Sequence, residues 1–346
     1  MQYVKFLPSI PFHLDLWRMI FFYNIFRHLY KNGIALVANW NPKARKWVDG
    51  RKNWKEELIA NWKNEPDKPV IWMHCASLGE FEQGRPIIEE IKTKYPNAKI
   101  LLTFFSPSGY EVRKNYKGAD HVMYLPMDSS ANAKDFLDLV NPKLAIFVKY
   151  EFWYNHLKCA RRKGAKIYGV SSLFRPSHRF FKWYGGFFRK ALRLFDHFYA
   201  QDQRSKDLLN SIGIDQVTVT GDTRYDRMLA VKERSTENEI IRSFVEEKPV
   251  LILGSSWTID EEILVPALFE LRQKFKIIIA PHDISEKHIE QISTEFDNDV
   301  ERYTNFLNLG KDILILDTIG QLTNAYQYAD LAYIGGGFTG KLHNIL

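Results

Sequence analysis

The sequence predicts an α/β chain of two domains, each built on a mostly parallel sheet. Three observations lead there. At 346 residues the chain exceeds the usual size of one hydrophobic core. Its 45% hydrophobic and 26% charged residues exclude disordered, collagen-like and coiled-coil classes. From residue 70 onward, short β-rich apolar runs alternate with amphipathic helical stretches, which is the pattern of βαβ units.

The elements follow in chain order. Residues 1–40 are apolar and aromatic but are interrupted by Arg27, His28 and Lys31. A spanning helix needs about 18–20 nearly uncharged apolar residues, and this stretch falls short. An interfacial helix and a helix packed on the protein itself fit the pattern equally. Strands are expected at 70–73, 99–104, 121–125, 144–148, 166–170, 197–200 and 217–220, with helices at 82–94, 131–140, 153–163 and 204–212 between them. Residues 229–248 are polar, without a strand candidate, and read as a linker or connecting helix. A second series has strands at 250–253, 276–280, 313–316 and 331–334. The expected organisation is a basic segment over 1–63, a first Rossmann-like domain over 64–225, a linker over 226–248 and a second Rossmann-like domain over 249–346.

The charge is uneven. Residues 1–63 carry eleven Lys/Arg against four acids, and residues 158–206 carry thirteen against Asp196 and Asp202. These stretches are +7 and +11, which leaves −11 on the rest of a chain whose total is +7. Such patches suit anionic lipid or phosphate groups, and solvated helix faces are the plainer reading of any single run. Aromatic neighbours such as Phe180, Phe181, Trp183 and Tyr184 sit among the cations, but no nucleic-acid motif accompanies them. Two cysteines, Cys75 and Cys159, are too few for a disulfide framework and lack metal-ligand spacing.

In open parallel sheets ligands bind beyond the carboxyl ends of the strands. The expected strand ends hold His74 to Glu80, Ser106 to Gly109, Lys149 to Glu151, Ser171-Ser172 and Gly221 to Arg224. In the second domain they hold Gly254 to Trp257, Pro281 to Asp283 and Gly335-Gly336-Gly337. Small and hydroxyl-bearing residues there let backbone N–H groups approach phosphate, yet no complete GxGxxG or P-loop is present. Ser77-x-x-Glu80 has the spacing of a capping box, and Glu80 is equally placed to serve as a general base. Glu151 reads either as a helix-start charge or as a site carboxylate; Arg224 and His282 read as phosphate ligands or as solvated surface groups.

Taken together, these motifs resemble the 3-deoxy-D-manno-octulosonic acid (Kdo) transferases of lipopolysaccharide synthesis. His74-Cys75-Ala76-Ser77-Leu78-Gly79-Glu80 resembles that family's H-x-x-S-x-G-E, and Lys149-Tyr150-Glu151-Phe152-Trp153-Tyr154-Asn155 is similar to its T-E-L-W-P-N segment. Thr220-Gly221-Asp222-Thr223-Arg224-Tyr225-Asp226 resembles T-G-N-x-K-F-D, and Asn41-Pro42-Lys43-Ala44 with Gly50-Arg51-Lys52 is also similar to the family's start. The likeness runs in order along nearly the whole chain.

The resemblance implies a GT-B fold, two Rossmann-like domains facing a cleft, with an N-terminal membrane-associated helix on the cytoplasmic face of the inner membrane. It implies inverting transfer of Kdo from CMP-Kdo to the lipid A precursor, without metal or other cofactor. Glu80 takes the place of the general base, Glu151 and Arg224 the transition-state stabilising positions, and Ser77 and Gly79 the acceptor side. Donor contacts fall on Pro281, His282, Ile319, Gly320, Gln321, Gly336, Gly337, His343 and Asn344. Two departures stand out. Pro281-His282-Asp283 replaces the family's P-R-H, and Arg224 replaces a usual Lys, keeping the charge but not its point geometry. The family's H-N-x-L-E-P-A begins at His343-Asn344-Ile345-Leu346, so the second domain is expected to be C-terminally truncated.

Overall fold

A computed structural model describes residues 12–226, 229, 237–245 and 248–339. The chain divides into two compact units, Met1–Tyr225 and Asp226–Leu346.

The first unit begins with helices α1 (Phe12–Val37), α2 (Pro42–Asp49) and α3 (Trp54–Asn61). Asn41 caps α2: its side chain accepts from the backbone N–H of Lys43 and Ala44, and Pro42 opens the helix where no backbone donor is needed. Trp47, Leu58 and Trp62 are buried, and Leu58 and Trp62 join the main core, so this basic stretch is integral to the first unit's packing. No helix among the described residues is long and apolar enough to cross a membrane.

Seven parallel strands follow: β1 (Val70–Cys75), β2 (Lys99–Phe104), β3 (His121–Tyr124), β4 (Leu144–Val148), β5 (Lys166–Ser172), β6 (His197–Ala200) and β7 (Val217–Val219). All six residues of β1 are buried, as expected of a parallel strand covered on both faces. Side-chain alternation divides the core. Trp72, Leu101, Ala145, Phe147 and Ile167 face one way; Ile71, Met73, Ile100, Leu102, Ile146 and Val148 face the other. The crossovers include α4 (Leu78–Lys94), α5 (Pro107–Arg113), α6 (Ser130–Val140), α7 (Tyr154–Arg162), α8 (Gly186–Leu192) and α9 (Gln203–Asn210).

The strand order is β3-β2-β1-β4-β5-β6-β7. This is a doubly wound sheet whose order reverses between β1 and β4, and a crevice opens at the carboxyl ends of the two strands flanking such a reversal.

In the second unit, helix α10 (Glu239–Val245) packs its Ile241, Phe244 and Val245 into that unit's core. Its sheet comprises β8 (Val250–Ser256), β9 (Lys276–Pro281), β10 (Glu301–Arg302), β11 (Ile313–Ile315) and β12 (Leu331–Ile334), in the order β10-β11-β9-β8-β12 with all pairs parallel. Helices α11 (Thr258–Leu271), α12 (Glu286–Glu295) and α13 (Leu322–Ala325) connect them. Here the reversal lies between β8 and β12.

Candidate active site

The first unit's reversal point gathers four of the residues singled out from the sequence. Ser77 and Gly79 follow β1 at the start of α4, Glu80 lies in that helix's first turn, and Glu151 follows β4. The spacing of Ser77 and Glu80 does not form a capping box. The Ser77 side chain accepts no backbone N–H; its hydroxyl donates to the Glu80 carboxylate. The other Glu80 oxygen lies 3.8 Å from the Lys149 ammonium. Lys149 itself has φ +63°, a left-handed backbone that a non-glycine residue adopts only against strain. The chain thus turns sharply off β4 and delivers Lys149 and Glu151 to the same edge as Glu80.

Behind Glu151 lies His74, fully buried on β1. The Trp153 indole, a donor only, gives its N–H to His74 Nε2 at 3.1 Å, so Nε2 carries the lone pair. His74 Nδ1 then donates to Thr103 Oγ1 at 2.9 Å, and Trp72 donates to the same oxygen at 2.8 Å. The imidazole is neutral, in keeping with burial, which holds it below its ordinary pKa while Glu151 Oε2, at 3.8 Å, pulls the other way.

Arg224 is tied to α4 through Asp222. Its guanidinium donates to Asp222 Oδ2 from Nη2 at 2.7 Å and from Nε at 3.0 Å. Gln83, buried one turn after Glu80, donates to Asp222 Oδ1 at 3.0 Å, and its carbonyl accepts the Thr223 hydroxyl at 2.6 Å. Burial works to raise Asp222, but bonds from Arg224 and Gln83 hold it below the ordinary carboxylate range.

Arg51, counted from sequence among the basic surface residues, is instead caged. It donates to the carbonyls of Phe105 at 2.7 Å, Leu125 at 2.9 Å and Trp47 at 3.0 Å, and it lies over the rings of Trp47, Phe105 and Tyr124. Burial pushes its pKa down to about 9, so it stays a cation at neutral pH.

In the second unit the reversal brings Ser255, Ser256 and Trp257 beside Gly335 and Gly336. Buried Asp260 ties them: it accepts from the backbone N–H of Trp257 at 2.9 Å and of Gly336 at 2.7 Å, and from the Tyr333 hydroxyl at 2.7 Å. A Cβ at Gly335 would sit 2.3 Å from the Ser255 carbonyl oxygen, so only glycine fits this approach. Pro281 closes β9 and His282 stacks on Trp257, ring centroids 4.1 Å apart. Gly337 opens a 3₁₀ turn just past Gly336. Ile319, 83% exposed, and Gly320 lie on the loop after β11, where Gln321 accepts from Asn238 at 3.1 Å. His343 and Asn344 lie outside the described residues. Lys149, Gln83 and Asp260 were given no role from sequence. Lys149 stood inside a quoted motif, but its left-handed backbone has no sequence signal in a lysine.

Residues 52–227 match the family model described as 3-deoxy-D-manno-octulosonic-acid transferase (kdotransferase), just over half of the chain. The chain belongs to the Kdo transferase family. A 3-deoxy-D-manno-octulosonic acid transferase from Chlamydophila psittaci is 28% identical across 80% of this chain and 66% of its own length. One from Rickettsia felis is 27% identical across 81% of this chain and 61% of its own. The chain therefore spans somewhat under two thirds of these relatives. A solved UDP-GlcNAc 2-epimerase from Neisseria meningitidis superposes with a TM-score of 0.54 at 14% identity, covering 78% of each chain. A putative UDP-N-acetylglucosamine 2-epimerase from Listeria monocytogenes gives 0.51 at 11% identity, covering 78% of this chain and 75% of its own. The fold of this Kdo transferase family member is thus GT-B-like.

Proposed function

We propose that the chain is an inverting glycosyltransferase that moves Kdo from CMP-Kdo to the lipid A precursor (lipid IVA), working at the cytoplasmic face of the inner membrane on anionic lipid. Glu80 removes the proton from the attacking acceptor hydroxyl. That oxygen forms its bond to the anomeric carbon on the face opposite CMP, and CMP leaves with the electrons of the broken bond. Glu151 and Arg224 stabilise the charge that builds in the transition state. Ser77 and Gly79 border the acceptor. On the second unit Pro281, His282, Ile319 to Gln321, Gly336 and Gly337 hold CMP, with His343 and Asn344 from beyond the described residues.

The observation that carries this reading is the environment of Glu80. Its carboxylate sits at the reversal point, engaged by a hydroxyl and an ammonium instead of being spent on backbone capping. A base must be oriented at the reacting edge, and the contacts from Ser77 and Lys149 support an oriented carboxylate there. The solvent-facing apolar residues of α1, Phe26 and Leu29 among them, support the membrane reading.

The test is CMP release from CMP-Kdo with the lipid acceptor, comparing the full chain with Glu80→Ala. Loss of a general base lowers turnover about 10²–10⁴-fold with folding unchanged. Near-full turnover in Glu80→Ala refutes the mechanism, and calorimetric preference for UDP over CMP refutes the donor.

A further inference from the structure

From Leu173 to Arg193 the chain carries six Lys/Arg and no Asp or Glu. At the centre of this run Trp183 is 92% exposed and its neighbour Tyr184 is half-exposed, their rings 5.5 Å apart and edge-on. An indole this exposed is unusual, because a Trp side chain normally contributes its large area to a core or an interface.

The loop that presents it is firmly built. Phe180 and Phe181 pack against the main core, and the rings of Phe180 and Phe152 meet at 5.0 Å. Arg189 reaches back from α8 and donates to the Phe180 carbonyl at 3.2 Å and the Lys182 carbonyl at 3.3 Å. Gly185 closes the turn where a Cβ would stand 2.2 Å from the Arg179 carbonyl oxygen. Trp183 is thus held outward by residues on both sides of it.

The surroundings match one kind of partner. Among the described residues no carboxylate lies within ion-pair distance of Arg175, Arg179, Lys182 or Arg193. Exposed Tyr150 stands beside His178 at the base of the loop, rings 5.4 Å apart. The loop runs directly into α8, whose Phe187 packs on Tyr23 of α1 at 5.4 Å, and α1 exposes Phe26 and Leu29 within two turns of that contact. Exposed indole and phenol rings among unpaired cations suit the headgroup layer of an anionic bilayer, where rings enter the interface and cations meet lipid phosphates.

We propose that the Trp183–Tyr184 loop is a second membrane anchor, inserting its rings into an anionic lipid surface beside α1. This rests on the membrane reading given above and adds a contact that α1 does not supply. The loop follows β5 on the same unit as Glu80, so two anchors on one rigid unit fix its orientation to the bilayer as well as its attachment.

The test is cosedimentation of the full chain with vesicles of 3:1 phosphatidylcholine to phosphatidylglycerol, and with pure phosphatidylcholine. Trp183→Ala is expected to weaken binding to the anionic vesicles about tenfold, the equivalent of roughly 60 Å² of apolar area leaving the interface. Trp183→Tyr should recover most of it. Arg175→Gln with Lys182→Gln should flatten the salt dependence of binding, and an unchanged melting temperature shows that each variant folds. Wild-type binding retained in Trp183→Ala overturns the loop anchor while leaving the membrane reading intact. No binding of the wild type to anionic vesicles overturns both. Equal competition by free glycerol phosphate overturns the bilayer as the occupant.

Discussion

Asp128 offers the sharpest test of how the first unit is held together. It is buried and accepts from five groups: the Tyr23 hydroxyl at 2.5 Å, the Asn155 backbone N–H at 3.0 Å and side-chain amide at 3.4 Å, the His156 backbone N–H at 2.8 Å and His156 Nδ1 at 2.6 Å. The carboxylate therefore joins α1 to the start of α7, four residues past Glu151. Tyr23→Phe removes one hydrogen bond to an ionised acceptor and should destabilise the unit by about 2 kcal/mol. Asp128→Asn should cost more, about 3–5 kcal/mol. Its amide must turn an NH₂ toward one side, and backbone N–H donors face both carboxylate oxygens, so neither flip avoids opposing donors. At about 2–4 °C per kcal/mol for a unit of this size, Tyr23→Phe should lower the melting temperature by about 4–8 °C. The pH dependence follows from the same contacts. Burial works to raise Asp128, but bonds from His156, Tyr23 and Asn155 more than offset it and hold the folded pKa below the ordinary value. A carboxylate depressed on folding adds stability that is complete above its unfolded pKa and lost as pH falls through the folded one. The gap between wild type and Asp128→Asn should be full at pH 7 and close below about pH 4. Thermal unfolding across pH, with hydrogen exchange at the Asn155 and His156 amides, reads both effects. A Tyr23→Phe change under about 0.5 kcal/mol, or a gap independent of pH, refutes the argument.

Two further substitutions probe backbone approach and caged charge. Arg51→Lys replaces a planar fork that reaches three divergent carbonyls with a compact ammonium, and should lower the first unit's stability by about 3 kcal/mol in urea; a change under about 1 kcal/mol means the cage is not selective for guanidinium. Gly335→Ala forces a methyl against the Ser255 and Ser256 backbone and should destabilise the second unit by about 1–3 kcal/mol while leaving the first unit's calorimetric transition in place. An unshifted second transition contradicts the close approach.

The strands were legible because their signal is local. Runs such as Val70–Met73 and Ile277–Pro281 are continuous and apolar, as burial on both faces requires. β10 escaped because two residues, Glu301 and Arg302, carry no periodicity at all. α8 escaped because Gly186, Phe187 and Phe188 sit in an aromatic run without helical spacing. At the site, the sequence placed Glu80 and Glu151 at strand ends, and the strand order puts both at one reversal. Deciding whether Glu80 caps its helix needed the third dimension, because Ser-x-x-Glu fits both roles and only the Lys149 backbone turn brings the ammonium alongside. The charge count misread Arg51 for the same reason: a cation's burial depends on carbonyls and rings from positions 47, 105 and 125, which no local window contains.

The arrangement around Gln83 bears on how Arg224 is able to act. Arg224 is not a free cation but is paired with Asp222, and its side chain is 43% exposed. The Asp222 carboxylate is only 8% exposed, so the pair is half-shielded; in the role proposed for Arg224, an arriving phosphate, with more charge and more acceptor oxygens, competes with Asp222 for the guanidinium. The exchange would ordinarily strand Asp222, yet Asp222 keeps the Gln83 amide and the Arg224 backbone N–H whether or not the guanidinium stays. The loop therefore holds its place while the side chain swings. Because Gln83 lies one turn after Glu80 on α4, Arg224 is positioned through the same helix that carries Glu80, the proposed base. A bidentate fork loses less on such an exchange than a point charge does, which gives a physical reason for arginine to serve where the family usually carries lysine.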